Sequence, residues 1–141
     1  MNNKLKIVLD TNVLLVSISE RSKYHWIYRR ILHGDFILCI TNEIINEYLE
    51  IISEKFDSHT AHDVVASLVA LETVLKISVY FNWALIKDDE DDNKFVDCAV
   101  SSNADYIVTH DKHFTVLKDV EFPRVKTLTI PEFGILLKEY L

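Results

Sequence analysis

Glycine, proline and cysteine each occur only twice in 141 residues, and neither glycine belongs to a GxGxxG or GxxxxGK[ST] pattern. Dinucleotide-binding turns and phosphate-cradling loops need glycine where backbone approaches phosphate, so no nucleotide cofactor is expected. Long apolar runs are missing too. None reaches about 18 residues, and no membrane span is expected. The opening MNNKLKIVLDTN has no extended apolar stretch and no small-residue cleavage site, so no secretory signal is expected either. Cys39 and Cys98 lie in apolar surroundings outside any CxxC. That predicts two buried thiols in a reducing cytoplasm rather than a disulfide. Basic charge is scarce: 15 Lys and Arg face 22 Asp and Glu, for a net charge of −7. Phosphate contacts normally come from Lys and Arg. An acidic chain that handles nucleic acid therefore needs a cation between its carboxylates and the phosphate.

What is present is a core. With 49% hydrophobic and 26% charged residues, the chain is predicted to fold as one domain over 1–141. Short apolar runs at Leu5–Leu9, Phe36–Ile40, Tyr106–Val108 and Val125–Leu128 read as strands, with another at Leu75–Tyr80. Helical spacing covers Ser22–Leu32, Asn42–Ile52, Asp63–Leu75 and Asp92–Ser102, and Pro131 suits the first turn of a last helix. Thr41 or Asn42 is placed to cap the second of these helices. Strands alternating with helices predict an α/β layer fold around a parallel sheet.

The acidic residues carry the functional signal. Asp10 directly follows the first strand, and Asp111 lies three residues past Val108. Ligand sites in open parallel sheets form beyond the carboxyl ends of strands. Asp92 opens a helix, and Glu47 lies one turn into the helix after the second strand. In the row Glu43, Glu47, Glu50, Glu54, the apolar arc at about 100° per residue centres between Tyr48 and Ile52, and Glu47 lies nearest its edge. Each acid also has a plain structural role open to it. Asp10 suits an Asx turn, Asp92 an N-cap, Asp111 a loop, and the glutamates a solvated face. Taken jointly, four carboxylates from four segments predict an oxygen-lined site for Mg²⁺ or Mn²⁺. Such an ion polarises water and neutralises phosphate oxygens, which is the chemistry of phosphodiester hydrolysis.

Other motifs carry less. Asp88–Asp92 fails as an EF-hand, because Asn93 stands where glycine is required and Ala99 where a bidentate glutamate is required. The run reads as a solvated, mobile loop. His59-x-x-His62 and His110-x-x-His113 have zinc-compatible spacing without a second ligand pair, and read as surface histidines. Tyr24, Trp26 and Tyr28 fit either base stacking or core packing. A phosphatase with an Asp nucleophile needs an acid two residues on, and Asn12 stands there instead.

These residues resemble the PIN-domain ribonucleases, specifically the toxin-like group of bacterial toxin–antitoxin systems. The likeness rests on Ile7-Val8-Leu9-Asp10-Thr11-Asn12, on Asn42 to Tyr48 with Glu47, on Asp91 to Ala99, on Ala104 to Lys112, and on the closing Leu128 to Phe133. The resemblance implies a three-layer fold with a central parallel sheet of four to five strands flanked by helices. It implies an Mg²⁺- or Mn²⁺-dependent endoribonuclease whose acids are Asp10, Glu47, Asp92 and Asp111, with Asn12, Thr109 and Asp97 in support. Asp97 lies about 140° around the helix from Asp92, so the two need not face one ion. The resemblance further implies an RNA substrate, a cognate antitoxin and a homodimer. Lys94, Lys112, Arg29 and Arg30 are candidates for contacts to the RNA backbone. An inactive PIN-fold module that binds RNA or protein is the alternative.

Overall fold

The computed structural model describes residues 3–141. Five strands, β1 (Lys6–Leu9), β2 (Ile37–Ile40), β3 (Val74–Lys76), β4 (Tyr106–Val108) and β5 (Thr127–Leu128), form one sheet in the order β3-β2-β1-β4-β5. All four pairings are parallel. Six α-helices flank the sheet: α1 (Thr11–Ile18), α2 (His25–Leu32), α3 (Asn42–Lys55), α4 (Ser58–Val69), α5 (Asn93–Ser102) and α6 (Ile130–Lys138). The expected α/β layer architecture with a parallel sheet is the observed one.

The strands are short and apolar because the sheet is covered on both faces. Ile7, Val8, Leu9, Leu38, Ile107 and Val108 have no exposed surface. Cys39 and Cys98 are free and buried in the same core. The chain leaves α2 through Gly34 at φ +70°, a left-handed turn where an added Cβ would come within 3.2 Å of Thr73. Thr41 caps α3 by accepting the Ile44 N–H at 3.1 Å. Thr129 and Glu132 form a capping box at the start of α6, with Pro131 in its first turn.

Two expectations need correction, and one helix had none. Helix α1 begins directly after β1, over residues read as neither strand nor helix; at eight residues it is too short for its periodicity to stand out. Helix α4 starts at Ser58, capped by Asp57, and ends at Val69, not Leu75. The apolar residues beyond its end enter β3, where Val74 and Leu75 pair with Leu38 and Cys39. That strand stops at Lys76, so the run toward Tyr80 is irregular.

The order of the strands places the site. From β1 the chain moves outward to β2 and β3, then returns to insert β4 on the other side of β1. The crevice between the carboxyl ends of β1 and β4 is thus the point where winding reverses. Leu9 sits in register with Val108, so the residues that follow the two strands emerge side by side.

Candidate active site

Asp10 and Thr109 meet at this crevice. The Asp10 N–H donates to the Val108 carbonyl at 3.1 Å, and the Thr109 hydroxyl donates to Asp10 Oδ2 at 2.7 Å. Thr109 Oγ1 in turn accepts the Asp111 N–H at 3.0 Å. One buried hydroxyl therefore ties the first and last acids together across the switch point. Asp10 and Asp111 line a common cleft of about 370 Å³ with Asn12, Tyr24 and His110. Although Asp10 precedes α1, its carboxyl makes no capping hydrogen bond to that helix. Burial holds it above the ordinary carboxylate value of 3.8; the Thr109 hydrogen bond opposes this, while Asp111 and Glu47 add to it.

Replacing Thr109 with Val keeps the side chain's shape but strands the Asp111 N–H and one Asp10 oxygen. Urea unfolding should show a loss of about 1–3 kcal/mol. Unchanged stability would mean that the hydroxyl holds nothing.

Asp92 lies 7% exposed, where a 3₁₀ turn over Glu90–Asp92 runs into α5. It does not cap the helix: its backbone is already helical and its side chain makes no cap hydrogen bond. Asp92 Oδ2 is instead buried with no hydrogen-bond partner. Asp89, Asp92, Asp111 and His113 each place one donor atom within 4.8 Å of the others. Two ionised carboxylates about 4 Å apart repel by roughly 4 kcal/mol at an effective dielectric constant of 20. The pair responds by sharing a proton. Asp92 is pushed up to about 8, first by burial and then by Asp111, Asp89 and Asp10. Burial also pushes Asp111 upward, but the His113 N–H, the bond from protonated Asp92 and the His113 ring outweigh it, so Asp111 is net lowered.

Glu47 is the half-buried member of its acidic row; Glu43, Glu50 and Glu54 are exposed. Helix α3 is fixed against β1 by the Tyr48 hydroxyl, which donates to the Leu9 carbonyl at 2.7 Å. That directs Glu47 toward Asp10. Its carboxylate accepts from the Thr11 hydroxyl and, at 2.7 Å, from Lys94 Nζ. Lys94 is thus engaged with an acid.

Asp97, Arg29, Arg30 and Trp26 stand apart from this cluster. Asp97 accepts the Trp83 N–H at 3.0 Å and anchors the irregular 77–89 segment. Burial raises it, and its charged neighbour is Glu43, not Asp10, Asp92 or Asp111. A cavity of about 670 Å³ is likewise lined by Glu43, Lys94 and Asp97 and not by those three acids. Arg29 and Arg30 end α2, which feeds the opposite end of β2, and Arg30 pairs with Asp35 at 3.1 Å. Trp26 packs on Phe133 at 5.8 Å, so it serves the core, whereas Tyr24 lines the cleft. Lys112 is exposed beside Asp111.

Two residues were undervalued. Asp89 belongs to a run expected to be a mobile loop, and His113 to a pair expected at the surface. The structure folds both against Asp92. The available signal was the spacing: His113 lies two residues past Asp111, and Asp89 three before Asp92.

The fold has solved counterparts. A chain of VapBC2 from Rickettsia felis, solved bound to a DNA fragment from its promoter, superposes with a TM-score of 0.62 at 14% identity, covering 89% of this chain and 98% of that one. A chain of DNA-bound VapBC from Salmonella typhimurium gives 0.57 at 18% identity, with the same coverage of 89% and 98%. At these identities the likeness is one of fold. No curated protein matches the chain. The PIN-domain family model matches residues 6–113, spanning β1 through His113 and so every acid of the cluster, and the chain belongs to the PIN-domain family.

Proposed function

We propose that the protein is a divalent-metal-dependent endoribonuclease, the toxin of a toxin–antitoxin pair, working as one domain over residues 1–141. The observation that carries this reading is Asp92 Oδ2, buried without a donor inside a four-ligand cluster at the switch point of the sheet. The donor set fits a divalent cation. Five carboxyl groups, those of Asp10, Glu47, Asp89, Asp92 and Asp111, gather with one lysine among them, and oxygen-rich sites of this kind suit Mg²⁺ or Mn²⁺. Asp10, Asp92 and Asp111 would hold the ion, with Glu47 a further ligand or the group that orients the attacking water. A bound divalent ion supplies Lewis-acid activation of water and neutralises phosphate oxygens. Thr109 keeps Asp10 aimed into the crevice. Thr11 and Lys94 hold Glu47 in one orientation, and exposed Lys112 is positioned for the RNA backbone. Asn12 and Tyr24 line the cleft where the strand would lie. In-line attack leaves 5′-phosphate and 3′-hydroxyl ends.

The VapBC counterparts support a cognate antitoxin, whereas RNA as substrate and a homodimer rest on the resemblance to the PIN-domain toxins alone. Among the described residues no helix is long and apolar enough to cross a membrane. The free, buried Cys39 and Cys98 suit a reducing cytoplasm.

Purified protein should cut single-stranded RNA with Mn²⁺, stop with EDTA, and lose on the order of a hundredfold or more of its rate as Asp10→Asn. Cleavage unchanged in Asp10→Asn overturns the site. Metal-independent RNA binding without cleavage in the wild type would favour the inactive module.

A further inference from the structure

We propose that His113 donates its Nδ1 to the divalent ion beside Asp89, Asp92 and Asp111, giving a mixed nitrogen–oxygen site that prefers a transition ion to Mg²⁺. The proposal rests on the metal-dependent reading above and assigns a ligand beyond the four acids.

His113 Nδ1 is buried and makes no hydrogen bond. It lies 2.9 Å from Asp111 Oδ1, 3.6 Å from Asp92 Oδ2 and 3.7 Å from Asp89 Oδ2. The 2.9 Å approach has the length of an ion pair but not the angle of a hydrogen bond, and Asp111 Oδ1 already accepts the His113 backbone N–H at 2.9 Å. One nitrogen thus faces three carboxylate oxygens. Donors at about 2.1 Å from a shared octahedral ion are separated by roughly 3 Å along each edge, and by somewhat more in a tetrahedron. The spacing to Asp111 matches the octahedral edge, and those to Asp92 and Asp89 lie slightly beyond the tetrahedral one. The second unpartnered atom, Asp92 Oδ2, belongs to a side chain only 10% exposed and faces the same point.

The backbone makes the arrangement hard to avoid. Asp111 caps the 3₁₀ turn over Lys112–Asp119, and its capping bond goes to His113 itself. The ring is therefore held beside the acid that caps its own turn. His110, the other member of the pair, is committed elsewhere: its Nε2 accepts the Ile130 N–H at 3.1 Å. Among the described residues no other imidazole reaches the cluster. Imidazole suits the later first-row ions, whereas Mg²⁺ keeps oxygen ligands and water.

The test is pulsed EPR of the full chain loaded with Mn²⁺. Wild type should show ¹⁴N modulation that changes to the ¹⁵N pattern when histidine is isotopically labelled, and His113→Phe should lose it. In calorimetry, His113→Phe should weaken Co²⁺ binding about tenfold and Mg²⁺ binding by less than about twofold. If His113→Phe does not fold, the labelled wild type decides alone. Mn²⁺ binding without nitrogen modulation overturns the proposal and leaves the carboxylate site standing. No Mn²⁺ binding at all overturns both.

Discussion

Asp92→Asn should make the ion-free protein more stable at pH 8 while abolishing its capacity to hold a divalent ion. Asp92 is held at about 8 in the fold against an ordinary 3.8, so the native state retains a proton that the unfolded chain gives up. A raised carboxyl withdraws stability as pH climbs from about 4 to about 8, and costs nothing below that window, where both states are protonated. Asn never ionises, and its amide donates to Asp111 as protonated Asp92 does. The gain should be about 2 kcal/mol at pH 8 and close to zero at pH 4. This is well below the full shift because the proton is shared with Asp111. Urea unfolding with EDTA at the two pH values measures it. Equal stability of the two proteins at pH 8 would show that the buried carboxylate carries no burden. The same substitution removes a ligand, so Mn²⁺ binding should vanish.

Ion affinity should also climb steeply with pH. An ion that takes Asp92 as ligand must displace its proton, so between pH 6 and pH 7 the apparent affinity should rise roughly tenfold and flatten near pH 8. Asp111 is held below the ordinary range and contributes no slope here. Asp10 is raised, which adds to the proton release at the acidic end. Calorimetry at pH 7 in two buffers of different ionisation heat should count about one proton released per ion. The slope should persist in His113→Phe, which separates the carboxyl from the imidazole. An affinity that stays flat from pH 6 to pH 8 contradicts the shared-proton description of Asp92 and Asp111.

Most of the architecture could be read from periodicity. The runs Leu5–Leu9 and Phe36–Ile40 are apolar without alternation, and only a strand covered on both faces tolerates that. Their parallel pairing, and the placement of Asp10 and Asp111 on one rim, followed from the helices between them. Glu47 was separable from its row because one edge of a helical arc is geometrically distinct; the structure leaves it half-buried and its neighbours exposed. What could not be read is what depends on close approach. Asp89 looks like any member of an acidic run until the 3₁₀ turn folds it against His113. Lys94 looks like a free cation until α3 and α5 bring Glu47 within 2.7 Å. Asp97 lies on α5, which Asp92 directly precedes, but the angular step between them turns it toward the Trp83 backbone, away from Asp10, Asp92 and Asp111. Short elements such as α1 carry too few residues for a periodic signal, and the apolar spacing past Val69 continues smoothly from helix to strand.

Thr109 and Asp10 are bonded to one another across a sequence separation of 99 residues. The first and last acids of the cluster are thus joined by segments far apart along the chain. A growing polypeptide that has emerged through α5 already holds Asp10, Glu47 and Asp92, but the seat beside β1 stays vacant until Tyr106–Val108 arrives. Assembly of the crevice therefore waits on β4, and a chain cut short ahead of Tyr106 leaves Asp10 without its Thr109 partner.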